Sequence, residues 1–163
     1  MTVKLAPSLT DGVDFGDIPP AVDAILQRGV AAHRTDRKKA AACFGDALIA
    51  APDCLPAYFC LYKVLAYSGQ LDDAHSVAER GLAEAAFQAA LPADWRGWGR
   101  SMFTGDLTPA SRFALYTLKA LAFIALKADD LPRADALLAQ LRALDPSDSV
   151  GWRVTDALAE GVR

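Results

Sequence analysis

The sequence predicts an all-α protein, an α-solenoid of about three antiparallel helix pairs with an inserted helix and a C-terminal capping helix. Three observations predict it. Apolar residues recur at spacings of three and four between breaks marked by Pro and Gly. A pattern of small residues centred on Ala40 returns 34 residues later at Ala74, and again 60 residues beyond that at Ala134. No segment alternates apolar and polar residues with a strict period of two, and β-branched residues are few, so strands are not expected.

The elements follow in order. Residues 1–18 are rich in Asp, Gly and Pro, with scattered apolar residues, and read as an extended N-terminal arm. Residues 19–163 then form a single helical-repeat domain. Pro19 and Pro20 suit the first helical positions, where a missing N–H costs nothing. The first helix carries Val22, Ile25, Leu26, Gly29, Val30 and His33 on one stripe. A second helix runs from about Lys38 to Ala50 and stops at Pro52. A third covers about Leu55–Tyr67 and ends at Ser68-Gly69, with Gly as the stop. A fourth begins near Leu71 and ends between Glu84 and Ala90. An atypical insert occupies about 91–107. Thr108-Pro109 supplies an N-cap hydroxyl and a first-position Pro for a long helix to about Lys127. Two more helices span about Leu131–Leu144 and Ser149–Glu160, the last reading as a cap that covers the third pair with Trp152, Val154 and Leu158.

Composition narrows the function. With 163 residues the chain can bury a full core without a disulfide or metal. Hydrophobic residues at 53% and charged residues at 23% exclude a disordered chain, and a net charge of −3 gives no broad reason to bind nucleic acid. No stretch approaches the roughly 20 apolar residues of a membrane helix, and no signal peptide is apparent, so the expected location is cytoplasmic. Cys43, Cys54 and Cys60 contain no CxxC pair. They read as small buried hydrophobes, and a site combining them with His33 matches no zinc spacing.

The repeat itself is specific. The local sequences KKAAACFGDALIAAP, LDDAHSVAERGLAEA and LPRADALLAQLRALDP align on the three alanines. A small or apolar residue returns four and seven places later: Phe44 and Ala47, Ala78 and Gly81, Leu138 and Leu141. Pro52 and Pro146 follow the first and third alanines by twelve. The clearest unit is AYFCLYKVLAYSGQLDDAHSVAERGL. These residues resemble the tetratricopeptide repeat, a helix–turn–helix unit of 34 residues, over about 21–163 apart from a 26-residue excess. Tyr58 stands where the family usually has Trp, Leu61 is its leucine, Gly69 closes the first helix, and Ala74 is the small residue of the second. Three departures stand out. The first unit is one residue short between His33 and Ala40, Tyr62 replaces the close-approach Gly, and Ala86 replaces the terminal Pro. RFALYTLKALAFIALK and the stretch before it also resemble small repeat proteins found near bacterial nitrogen-fixation genes.

What the resemblance implies is a peptide-receiving concave face lined by the first helix of each pair. It would draw Leu26, Val30 and Arg34 from the first unit, Phe59, Lys63 and Tyr67 from the second, and Tyr116, Lys119, Phe123 and Lys127 from the third. Interleaved lysines and aromatics suit a peptide with acidic groups. Leu26 and Val30 stand where the carboxylate clamp of chaperone-tail receptors places Lys and Asn, so that partner is not expected. Each of these side chains also has a plain reading, as packing or as solvated charge. The insert places Trp95, Trp98 and Met102 at spacings of three and four, a single apolar ridge if the segment is helical, either packed on the stack or meeting a partner.

The sequence offers no catalytic residues, cofactor or metal. It has no glycine-rich phosphate loop, HExxH or GxSxG. Asp72-Asp73 and Asp129-Asp130 open helices, where negative charge is favoured, and Arg37-Lys38-Lys39 reads as a solvated charge run. The expected function is a protein-interaction module, an adaptor or assembly factor. A dedicated bacterial chaperone for one client is the alternative, and a metal- or small-molecule-binding helical domain the third. Self-association through the arm or the Trp95–Trp98 ridge is also compatible with the sequence.

Overall fold

A computed structural model describes residues 12–163. Among them the structure is all-helical: α1 (Pro20–His33), α2 (Arg37–Ala50), α3 (Leu55–Tyr67), α4 (Leu71–Gln88), α5 (Pro109–Lys127), α6 (Leu131–Leu144) and α7 (Trp152–Glu160). Two compact units divide the chain, the first ending at Val77 and the second running Ala78–Arg163. Within them adjacent helices pack on one another, α1 on α2 and α2 on α3 in the first, α5 on α6 in the second. Such packing is consistent with a helical repeat.

The first unit opens on a tether. The carbonyl oxygen of the Gln27 side chain accepts from the Val13 N–H at 3.1 Å, and its amide nitrogen donates to the Val13 carbonyl at 2.6 Å. Phe15 is buried as well. Residues 12–18 of the expected arm are thus tied to α1, and the remainder of that arm lies outside the described residues. Pro20 opens α1 as its fixed φ allows. Asp36 caps α2, its carboxylate accepting from the Lys39 N–H at 3.0 Å. Gly29 of α1 faces Phe44 of α2 so closely that a Cβ there would lie 2.3 Å from the ring. The two helices therefore meet at a point where one side has no side chain.

The three recurring alanines share one environment. Ala40, Ala74 and Ala134 are each the fourth residue of their helix, and each is fully buried. Each lies seven residues after the end of the preceding helix, at His33, Tyr67 and Lys127. No residue is missing from the first linker, contrary to the sequence comparison. The shift lies within α1, where Gly29 precedes its alanine by eleven residues and Tyr62 precedes its own by twelve. The second and third turns are alike. Gly69 (φ 77°) and Asp129 (φ 58°) are left-handed. The following N–H reaches back to Leu65 in one (3.0 Å) and Ala125 in the other (2.9 Å). This six-to-one bond satisfies a carbonyl that the helix end would leave bare.

A second recurrence lies in the loops that follow α2, α4 and α6. After each of α2, α4 and α6 an aromatic side chain donates back to a loop carbonyl. Tyr58 Oη reaches Pro52, Trp98 Nε1 reaches Pro92 and Trp152 Nε1 reaches Asp145, each at 2.7 Å. All three rings are buried. Their polar ends thereby find the partner that burial demands.

In the second unit Thr108 and Asp130 cap α5 and α6 through the N–H groups of Ser111 and Arg133. The insert departs from expectation. It is not a helix but two 3-10 turns, Trp95–Gly97 and Arg100–Phe103, because Pro92, Gly97, Gly99 and Gly105 interrupt any longer run. The last helix begins at Trp152, three residues later than expected. Buried Asp145 gathers the loop first. Its carboxylate accepts from the Ser149 N–H and hydroxyl (3.0 and 2.8 Å) and from the Val150 N–H at 3.2 Å. Asp148 and Gly151 take positive φ to close that loop. The cap also differs in which face it buries. Trp152, Thr155 and Ala159 point inward, while Val154 and Leu158 stand 70% and 52% exposed.

Two substitutions test this account by thermal melts. Gly29→Ala should destabilise by about 1–3 kcal/mol through overpacking, with the loss relieved in a Phe44→Leu background. Asp145→Ala strips four donors, the Ser147 hydroxyl among them, of their acceptor; a cost of about 2–4 kcal/mol and a red-shifted tryptophan emission are expected. An unchanged melting temperature in either case contradicts the packing described.

Candidate functional site

Helix α3 separates its side chains cleanly. Tyr58, Leu61, Tyr62 and Leu65 are buried, which leaves Phe59, Lys63 and Tyr67, at intervals of four, on the opposite side. Phe59 is half-buried and packs edge-on against Tyr62 at 5.7 Å. The exposed Lys63 ammonium lies 5.2 Å from the Phe59 ring centre, and the Tyr67 ring is 55% exposed. The Arg37 guanidinium donates to the Tyr67 carbonyl at 3.1 Å, joining the start of α2 to the end of α3.

Helix α5 repeats the arrangement. Phe113, Ala114, Thr117, Leu118, Leu121 and Ala122 are buried, while Tyr116, Lys119 and Phe123 are half-buried and Lys127 is exposed. Lys119 lies 4.9 Å from the centre of the Tyr116 ring, and Lys127 lies 5.6 Å from that of Phe123. Such cation–aromatic pairs contribute about 0.5–1 kcal/mol each where solvent reaches them. Lys119 has a further task, because its ammonium donates to the Val150 carbonyl at 2.6 Å. It tethers the α6–α7 loop, a role that its spacing from Tyr116 could not reveal.

On α1 the expected set divides. Leu26 is fully buried and cannot line a face; Val30 is half-buried, and Arg34 and His33 are exposed. The Trp95, Trp98 and Met102 ridge is not formed. With no helix to align them, Trp98 turns inward beside Phe103, at 5.6 Å, while Met102 stays 40% exposed. Half-buried Trp95 carries the Arg96 guanidinium 4.4 Å from its ring centre. It walls a cleft of about 250 Å³ with Leu82, Leu137 and the ion-paired Glu79 and Arg133 (3.0 Å). The Gln140 amide pins the segment by donating to the carbonyls of Trp95 and Trp98, both at 2.9 Å. Arg37 and Gln140 are the residues that sequence reasoning missed. Each acts across 30 or more positions, and nothing local signals that.

The cysteines are free thiols. Burial pushes the Cys60 thiol up to about 12, and burial likewise raises Cys54. Among the described residues no three His, Cys, Asp or Glu side chains gather so as to hold a metal, and no helix is long and apolar enough to cross a membrane. Compared with known proteins, the chain matches no family model, no curated protein and no solved structure.

The thiols give a direct check. With iodoacetamide at mildly alkaline pH, half-buried Cys43 should label first and Cys60 last, because only the thiolate attacks. The raised Cys60 value also fixes a sign. Its contribution is fully present below the unfolded value of 9.0 and is lost as pH rises from there to about 12, since only the unfolded chain releases that proton. Equal labelling of Cys43 and Cys60 in the folded protein contradicts the raised Cys60 value, since both side chains are half-buried.

Proposed function

We propose that this chain is a tetratricopeptide-type repeat protein that binds a segment of another protein through the outward face of α3 in the first unit, with the outward face of α5 in the second a like surface of its own. The supporting observation is the repeated pairing of an aromatic ring with a lysine on those faces, Phe59 with Lys63 and Phe123 with Lys127. Rigid rings give contact area at little entropic cost, and the neighbouring ammonium groups favour a segment bearing carboxylates. The buried alanines at the fourth position of α2, α4 and α6 support the repeat assignment. Small side chains there let paired helices close tightly and free the first helix of each pair to face outward. Binding, rather than catalysis, is the role this reading gives the chain.

The test is site-specific photo-crosslinking in the native host. A photoreactive phenylalanine analogue at position 59 or 123 should capture one discrete partner, and the same analogue at position 154 should not. The double change Lys63→Glu with Lys127→Glu should abolish capture while leaving the helical spectrum intact. Lys119 is left alone, because its loop tether would confound the result. Capture that persists in the double variant sinks the assignment of these faces.

A further inference from the structure

We propose that the α1–α2 turn is a separate docking surface for an acidic polypeptide segment, held by Arg34, Arg37, Lys38 and Lys39. The proposal does not rest on the reading of the α3 and α5 faces. Four cations and one carboxylate, Asp36, fall within residues 34–39 of a chain whose net charge is −3. All four cations are exposed. Among the described residues no carboxylate pairs with Arg34, Lys38 or Lys39. Arg37 spends one donor on the neutral Tyr67 carbonyl and keeps its charge uncompensated.

Their position makes this more than a solvated charge run. Arg37, Lys38 and Lys39 form the first turn of α2, which contains no acidic residue. The helix dipole is positive there, so three cations weaken the helix they begin. The equivalent turn of α4 reads Leu71, Asp72, Asp73, with the charge the dipole favours. In α6 it reads Leu131, Pro132, Arg133, and that arginine is paired with Glu79 at 3.0 Å. The same structural position thus takes acid, or a neutralised base, in the other pairs and bare base only here. Asp36, the N-cap, keeps its negative charge while accepting from the Lys39 N–H and so offsets one of the four cations, which leaves a surplus of three.

The chemistry selects the partner. Four closely spaced cations match a few carboxylates, whereas tight nucleic-acid binding uses about 6–10 phosphate contacts. The remainder of the chain is more acidic than its net −3, so it repels a long polyanion.

The test uses the full chain and a fluorescein-labelled hexaglutamate peptide, read by anisotropy, with hexaglutamine as control. Hexaglutamate should bind, and should weaken by about fivefold or more between about 50 and 200 mM salt. Lys38→Glu with Lys39→Glu should weaken it at least about tenfold, from the loss of charge complementarity. The same variant should melt about 1–3 °C higher, because acid now sits at the positive end of α2. That opposite movement separates lost binding from lost folding. Lys127→Glu should leave hexaglutamate binding unchanged, which keeps this result distinct from that of the crosslinking faces. The proposal is overturned by no binding above hexaglutamine, by unchanged affinity in the double variant, or by tighter binding of a thymidine oligonucleotide or phosphatidylserine vesicles.

Discussion

Close approach between neighbouring helices is the constraint from which the rest of this structure follows. Two helices can approach closely only where one of them presents almost no side chain. In the first pair Gly29 meets the Phe44 ring at a distance that leaves no room for a methyl group. Ala40, Ala74 and Ala134, each the fourth residue of α2, α4 and α6, are likewise small and have no exposed surface. Once these contacts are set, the larger neighbours are oriented. Leu26, Phe113, Leu118 and Leu141 are enclosed because the backbones around them are near one another.

Polar groups then fix the connections between helices, and they do so by repetition. Tyr58, Trp98 and Trp152 each turn a ring into the core and return its one donor to a carbonyl in the loop that follows a second helix. The arrangement gives each buried ring's donor its partner and ties the ring to the loop backbone. The insert is bound by the same rule. Trp98 anchors it from within, and Gln140 of α6 holds two of its carbonyls. It lacks helical hydrogen bonds over most of its length yet is fixed at several points.

The surface that remains is divided between charge put to structural use and charge left over. Lys119 holds the loop before α7, and Arg133 is paired with Glu79. Lys63 and Lys127 lie over aromatic rings on the outward sides of α3 and α5. The cations of the α1–α2 turn sit where the helix dipole opposes them.

The sequence by itself determined most of the α-helices and the recurrence of small residues within them. Periodicity, capping residues and the 34-residue recurrence are local signals, and they located α3, α5 and α6 to the residue. The lysine–aromatic pairs were legible too, since partners three or four apart on a helix must adjoin. Tertiary structure decided what depends on distant parts of the chain meeting. It buried Leu26, committed Lys119 to Val150, joined Arg37 to Tyr67, and split the tryptophans of the insert between core and cleft. It also delayed α7, because Gly151 takes a left-handed φ of 79° that interrupts a helix begun at Ser149. The physical reason is common to all of these. A helical repeat is written in neighbours along the chain, whereas the exposure and hydrogen bonding of a side chain are settled by whatever the fold brings against it.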